Sequence, residues 1–146
     1  PLNLSVGISE TQNIYTYGIT AISMGNPHAV TFVDDLENMK PMAFETLGPM
    51  IERHMLFPEK VNVEFVQKVS NNHVLMKVWE RGAGPTLACG TGACATVVAG
   101  VLTNNCDLDT KVTLPGGDLQ IFWDRDSSGK VFMTGPAEAV FEGTLP

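Results

Sequence analysis

The sequence contains few cysteines, few basic residues and no long apolar segment. Three cysteines in 146 residues are too few for a disulfide framework and predict a reducing compartment. Lysine and arginine number 9 against 16 acidic residues, and the net charge of -7 argues against nucleic acid or an anionic membrane as partner. No apolar run approaches the roughly 20 residues of a membrane span. The first residues also lack the basic and apolar regions of a signal peptide. We therefore expect a cytoplasmic protein.

The remaining composition is that of a globular chain. Hydrophobic residues make up 44% of the sequence and charged residues 17%, which is sufficient for a buried core and excludes a disordered chain. The length predicts a single domain over residues 1–146. The chain begins at Pro1 without an initiator methionine, so we expect a processed fragment or a cloned part of a longer protein.

Two kinds of apolar pattern predict an α+β fold. Apolar residues recur at three- and four-residue steps through Met42–Met55, which predicts an amphipathic helix outside the sheet. The segment Gly92–Leu102 is apolar all round and predicts a buried helix. We expect a curved, mostly antiparallel sheet wrapped around this helix. Turn signals separate the β-rich runs, which predict strands over Tyr15–Met24, Ala29–Val33, Val61–Val69, Val74–Trp79, Lys111–Leu114, Asp118–Trp123, Val131–Met133 and Ala137–Phe141.

The most informative segment is residues 79–98, which centres on Cys89. A Cys-Gly-Thr-Gly step opens the buried helix, so a thiol, backbone N–H groups and a helix N-terminus meet at one point. Helix N-termini attract anions and lower the pKa of a nearby thiol. We interpret Cys89 as a catalytic thiol with a lowered pKa, against the alternative of a buried structural cysteine. Cys94 and Cys106 show no metal-binding spacing, so we expect no metal site.

Polar residues at the predicted strand ends are further candidates. Glu80 and Arg81 end the strand that leads into the cysteine loop. A carboxylate there can hold a substrate ammonium, and an arginine can hold a substrate carboxylate. Asn26 and His28 flank a proline in a rigid turn, and Asn62 starts a strand. Taken singly, each is more simply explained as a structural or solvated residue.

Taken together, these motifs resemble the second half of diaminopimelate epimerase. The resemblance extends from Tyr17 to Gly143. Proline racemases and phenazine-biosynthesis proteins share the fold, but the Glu-Arg-Gly and Gly-Pro-Ala-Glu motifs fit the epimerase better. In chain order the matching segments are Met24–Val30, Leu47–Glu52, Leu56–Glu59, Val61–Phe65, Glu80–Ala95, Leu114–Gly117 and Met133–Glu138.

The resemblance implies an epimerase that interconverts LL- and meso-diaminopimelate, on the route to lysine, without pyridoxal or any other cofactor. Two cysteines from two similar lobes would act on opposite faces of the α-carbon, one as thiolate base and one as thiol acid. Without a cofactor, oriented N–H groups in a dry site would have to stabilise the carbanion. The roles it implies are acid/base chemistry for Cys89, carboxylate binding for the N–H groups of Gly90 and Thr91, ammonium binding for Glu80, recognition of the substrate and its distal end for Asn26, Asn62 and Arg81, and a place beside the reaction centre for His28.

The resemblance also implies that half of the active site lies outside this chain. The other lobe and its cysteine are absent, and neither Cys94 nor Cys106 can reach the opposite face of the substrate. We expect a C-terminal lobe that is inactive alone, whose partners are the diaminopimelate substrate and the missing N-terminal lobe; a homodimer remains open. A racemase of another amino acid and a non-catalytic binding or assembly module are the alternatives. If the source is a plant, the location would be the plastid stroma.

Overall fold

A computed structural model describes residues 2–10, 13–40 and 42–144 of the chain. Within them the chain forms nine strands and two helices. The helices are α1 (Phe44–Glu52) and α2 (Gly90–Leu102). The strands are β1 (Leu2–Glu10), β2 (Asn13–Ser23), β3 (Pro27–Phe32), β4 (Asn62–Ser70), β5 (His73–Glu80), β6 (Gly84–Thr86), β7 (Asp109–Leu114), β8 (Gly117–Trp123) and β9 (Val131–Thr134).

All nine strands belong to one sheet, which curves around helix α2. The strand order is β1-β2-β3-β4-β5-β7-β8-β9, with β6 paired to β5. The β3–β4 and β5–β7 pairs are parallel and the others are antiparallel. Helix α2 packs against β2, β3 and β4 and also against β7, β8 and β9, so both halves of the sheet contact it. The predicted α+β fold with a mostly antiparallel sheet around a central helix is confirmed.

Alternation along the central strands divides the interior into two cores. In β5, Val74, Met76 and Val78 are buried against α2. The intervening Leu75 and Trp79 pack into a second cluster on the side of α1. Successive side chains of a strand point to opposite faces, so one strand serves both cores. The face toward α2 is the one that carries the site residues described below.

Both predicted helices are present, with different limits. Helix α2 begins at Gly90, two residues earlier than predicted, because Cys89 caps it. Helix α1 is shorter than the predicted Met42–Met55. Three successive turns follow it, closed by backbone hydrogen bonds from His54 to Ile51, from Phe57 to His54 and from Lys60 to Phe57.

The ends of the chain differ most from the prediction. Ala137–Phe141 is not a strand: residues 135–144 have no regular structure, and Val140 and Phe141 are exposed. Strand β9 is the last strand of the sheet order, so this apolar alternation finds no neighbouring strand. Strands β1 and β6 were not predicted. Strand β1 carries a local signal that the prediction overlooked, since apolar residues alternate with polar residues and glycine along LNLSVGISE. Strand β6 is only three residues long and forms by pairing with β5.

Candidate functional site

Four elements meet at one edge of the sheet. Strands β3 and β4 both begin there, and their parallel register sets His28 opposite Asn62. Strand β5 runs antiparallel to β4, so its last residue, Glu80, ends at the same edge. Helix α2 begins at this edge as well, with Cys89 as its N-cap. The fold therefore collects polar residues that are far apart in sequence.

Cys89 has the extended backbone of an N-cap residue, with φ -143 and ψ 104. Its half-buried Sγ accepts a hydrogen bond from the Gly92 N–H at 3.3 Å and lies 3.6 Å from Oγ1 of Thr91. A Cβ at Gly92 would lie 3.1 Å from Sγ, so glycine permits this close approach. The thiol is thus held at the helix N-terminus, as the sequence predicted.

The predicted lowering of the Cys89 pKa is wrong. Burial raises the pKa of the Cys89 thiol, and the negative charge of Glu80 acts in the same direction. The hydrogen bonds from Thr91 and Gly92 lower the pKa but do not outweigh these effects. The prediction considered only the helix N-terminus. It neglected the burial of the thiol and the nearby charge of Glu80.

A chain of hydrogen-bonded side chains leads from Thr91 into the protein interior. Nδ2 of Asn26 donates to Oγ1 of Thr91 at 3.2 Å. Oδ1 of Asn26 lies 3.0 Å from Nε2 of His28, and Nδ1 of His28 lies 2.6 Å from Oε1 of Glu64. The structure therefore brings Asn26, His28, Thr91 and Cys89 into one connected group.

Glu64 is the residue of this group that the sequence analysis missed. Its side chain is fully buried, as is that of His28. Burial raises the pKa of the Glu64 carboxyl, and the hydrogen bond between Glu64 and His28 only partly opposes this. The signal was present in the sequence: an acidic residue stands within the apolar run 61–66 of a buried strand. Such a residue requires a partner, because an unpaired buried charge is costly.

Asn62 and Arg81 form a second group of contacts. Nδ2 of Asn62 donates to the Pro27 carbonyl at 3.2 Å, and its Oδ1 accepts from the backbone N–H of Arg81 at 2.8 Å. The exposed guanidinium of Arg81 donates to the carbonyl of Glu59 at 3.2 Å. Asn62 therefore fixes the backbone of the turn after β5. Both of its polar atoms are bonded within the protein.

Glu80 lies between these two groups. Its Oε1 accepts a hydrogen bond from the Thr86 hydroxyl at 2.6 Å. Its charge acts on both Cys89 and Glu64, which places it within electrostatic range of the thiol. Thr86, in the unpredicted strand β6, was not identified from the sequence.

A second buried glutamate, Glu52, holds the turn that follows β5. Glu52, at the end of α1, accepts hydrogen bonds from Nε1 of Trp79 at 2.9 Å and from the N–H of Gly82 at 3.0 Å. Gly82 has φ +79, a conformation that favours glycine. Burial acts to raise the pKa of Glu52, but these hydrogen bonds outweigh it and the pKa is lowered. Glu52 is therefore an ionised anchor for the turn that follows Glu80 and Arg81.

The other candidates occupy ordinary surroundings. A Cβ at Gly90 would lie 3.0 Å from Sδ of Met133, so β9 covers the first residue of α2. Cys94 is half-buried against the α2 core, and Cys106 is buried, with a pKa raised by burial to about 11. Within the described part of the chain, no group of histidine, cysteine and acidic residues could hold a metal ion. No helix in that part is long and apolar enough to span a membrane.

The fold resembles that of a solved structure. A crystal structure of a probable proline racemase from Agrobacterium radiobacter K84 superposes with a TM-score of 0.58 at 18% identity. It covers 89% of this chain and 44% of the racemase. At this identity the likeness concerns the fold alone.

Sequence relatives give a closer comparison. Diaminopimelate epimerases from Microcystis aeruginosa, 56% identical over 128 residues, and Desulfitobacterium hafniense, 57% identical over 129 residues, each match 88% of this chain. The chain spans 44% of the length of both proteins. A family model described as diaminopimelate epimerase matches residues 20–140. The chain therefore belongs to the diaminopimelate epimerase family.

Proposed function

We propose that this chain forms one half of the active site of a diaminopimelate epimerase, with Cys89 as one of two acid/base thiols. The observation that carries the proposal is the position of Cys89 at the N-cap of α2, where Sγ meets the Gly92 N–H and the Thr91 hydroxyl. The second thiol would come from an N-terminal lobe, since the chain spans under half the length of its relatives. A two-sided reaction at one carbon requires that second group.

The reaction inverts one α-carbon by exchange of a proton. A thiolate removes the α-proton from one face, and a thiol on the other face delivers its own proton to the carbanion. The thiolate becomes a thiol and the thiol a thiolate, so protons and charge balance. Because the pKa of Cys89 is raised, we propose that Cys89 rests as the thiol and acts first as the acid.

The surrounding residues supply the electrostatics. The N–H groups of Gly90 and Thr91 lie in the first turn of α2, where backbone N–H groups have no partner within the helix, and would bind the substrate carboxylate. Glu80 beside them would bind the ammonium group. Asn26, Asn62 and Arg81 would recognise the remainder of the substrate, and His28 would support the reaction centre through Asn26.

Complementation tests this proposal. LL-diaminopimelate is incubated in deuterium oxide with the chain alone, with the N-terminal half of the Microcystis aeruginosa relative alone, and with both. We expect meso product carrying deuterium at one α-carbon only when both halves are present. Circular dichroism of each half first establishes that it is folded.

The outcomes separate the proposal from its alternatives. Epimerisation by the chain alone would contradict it and indicate a homodimer that supplies two Cys89 thiols. Binding of diaminopimelate without exchange, even with both halves, would indicate a non-catalytic module. Inversion of another amino acid, with diaminopimelate inert, would indicate a racemase on the same fold.

A further inference from the structure

The buried carboxyl of Glu64 is unusually placed for a glutamate. One oxygen, Oε1, lies 2.6 Å from Nδ1 of His28. The other, Oε2, is buried and accepts no hydrogen bond from the described residues. A carboxylate carries charge on both oxygens, so a bare, buried Oε2 is costly for the ionised form. The neutral acid, with its proton on Oε1, leaves only a carbonyl-like oxygen unpaired.

The far side of the imidazole shows that Nε2 carries a proton, as a neutral Glu64 acid requires of a neutral His28. Nδ2 of Asn26 donates to Thr91, which turns Oδ1 of Asn26 toward Nε2 of His28 at 3.0 Å. Oδ1 is an acceptor only, so Nε2 must carry a proton. A neutral imidazole with its proton on Nε2 has a lone pair on Nδ1, which can accept from a protonated Oε1. Both ends of the contact thus place one proton between Glu64 and His28.

This arrangement determines whether the Thr91 hydroxyl donates a hydrogen bond to Sγ of Cys89. Because Oγ1 of Thr91 accepts from Asn26, its own hydroxyl hydrogen is free to point at Sγ of Cys89, 3.6 Å away. If the imidazole carried its proton only on Nδ1, Nε2 would be an acceptor. The Asn26 amide would then rotate so that its Nδ2 donates to Nε2. Thr91 would then have to donate to Oδ1 of Asn26, and Sγ would lose this donor.

We propose that Glu64 is a positioning residue for the acid/base thiol: as a neutral carboxylic acid it holds His28 in the Nε2–H form and thereby directs the Thr91 hydroxyl at Cys89. The proposal depends on the proposed function only in one respect, which is that Cys89 acts as the acid/base thiol. In this proposal Glu64 acts through His28, Asn26 and Thr91. Other charged or titratable groups that face the pair are Glu80 on β5 and Cys89 on α2.

Glutamine is the discriminating substitution, because its amide can donate to Nδ1 of His28 as a carboxylic acid does. We expect Glu64→Gln to preserve the arrangement and Glu64→Leu to remove it. Glu52→Gln is the matched control, a second buried glutamate that accepts two N–H donors and lies outside the His28 group. The full chain is used throughout.

Two measurements report on the hydrogen-bonded chain from Glu64 to Cys89 rather than on the stability of the fold. Nitrogen-15 NMR of the imidazoles reports which ring nitrogen of His28 is protonated between pH 6 and 8; the chain has only three histidines. Alkylation of Cys89 by iodoacetamide, followed against pH by peptide mass spectrometry, reports the thiolate. We expect the Nε2–H form in the wild-type chain, in Glu64→Gln and in Glu52→Gln. In Glu64→Leu we expect mixed forms and alkylation about three- to tenfold slower, the effect of one hydrogen bond to sulfur.

Each contrary result overturns the proposal. A doubly protonated His28 in the wild-type chain would show that Glu64 is a carboxylate. If Glu64→Gln slowed alkylation as much as Glu64→Leu does, Glu64 would likewise act as a carboxylate and not as a neutral acid. A Glu64→Leu chain with unchanged His28 spectrum and alkylation profile would show a purely structural role, and if this variant does not fold, the wild-type and glutamine spectra still decide. Failure of epimerisation in the complemented protein would remove the proposed function while leaving these readouts intact.

Discussion

Replacing Glu52 with glutamine tests how the turn after β5 is held. Both oxygens of this carboxylate are committed, one to Nε1 of Trp79 and one to the N–H of Gly82. Burial acts to raise the pKa of the Glu52 carboxyl, but these two N–H donors favour the ionised form and lower it. Glutamine has the same shape but only one acceptor, so its NH2 group must face one of two N–H donors. One hydrogen bond is lost, and a buried donor loses its partner.

The size of the effect follows from these contacts. A hydrogen bond to a charged group contributes about 1.5–3 kcal/mol, and a donor left buried and unsatisfied costs about as much as the bond. We expect Glu52→Gln to lower the free energy of unfolding by about 2–3 kcal/mol. For a chain of this size, each kcal/mol corresponds to about 2–4 °C in melting temperature, so the expected decrease is roughly 5–10 °C.

Thermal unfolding followed by circular dichroism measures this decrease. Glu59→Gln removes the same charge from the exposed turn that follows α1, and should change the free energy of unfolding by less than about 0.5 kcal/mol. Equal melting temperatures for the two variants would refute the reasoning, because the buried acceptor would then contribute nothing that an exposed carboxylate does not.

Three further predictions follow from the packing and the pKa shifts. A Cβ at Gly48 would lie 2.7 Å from the Trp79 ring, so Gly48→Ala should cost about 1–3 kcal/mol of overpacking despite its gain in helix propensity; Gly18→Ala, with nothing within 4 Å, is the control in chemical denaturation, and equal stabilities would contradict the clash. Thr91→Val removes a donor to Sγ, so the pKa of Cys89 should rise and its alkylation at pH 7.5 slow by about three- to tenfold, whereas Thr91→Ser should retain the wild-type rate. Because burial raises the pKa of Glu64, the folded chain keeps a proton that the unfolded chain releases above about pH 4.3, and stability must fall as pH rises. Relative to Glu64→Gln, the wild-type chain should lose up to about 1.4 kcal/mol per pH unit as the pH rises from about 4.3 toward the raised pKa of Glu64; a difference that stays constant from about pH 4 to pH 8 would refute the raised pKa.

Most of the fold was predictable because its elements carry local signals. The buried helix is apolar on every side, and all strands except β6 show apolar runs or apolar alternation, although the alternation of β1 was overlooked. Residues 137–141 show the same kind of run but have no partner strand, so periodicity alone gave a false strand there. Strand β6 arises from pairing with β5 in a glycine-rich turn, which no local pattern reveals.

The site was predictable only in part, because its chemistry depends on long-range contacts. Cys89 could be placed at a helix N-terminus from the glycines that follow it. The direction of its pKa shift could not, since it depends on burial of the thiol by other elements and on the charge of Glu80 from another strand. The link from Glu64 to Thr91 spans three elements and requires the parallel β3–β4 register, which the sequence does not state.

The identity of the reacting thiol is the central claim, and one measurement tests it most directly. The chain is joined to the N-terminal half of the Microcystis aeruginosa relative, and inversion of LL-diaminopimelate in deuterium oxide is followed by NMR and mass spectrometry for the joined protein, for Cys89→Ser and for Cys94→Ser. The account predicts meso product with one α-deuterium from the joined protein and from Cys94→Ser, and no inversion from Cys89→Ser. Inversion that survives Cys89→Ser, or is lost in Cys94→Ser alone, would contradict it.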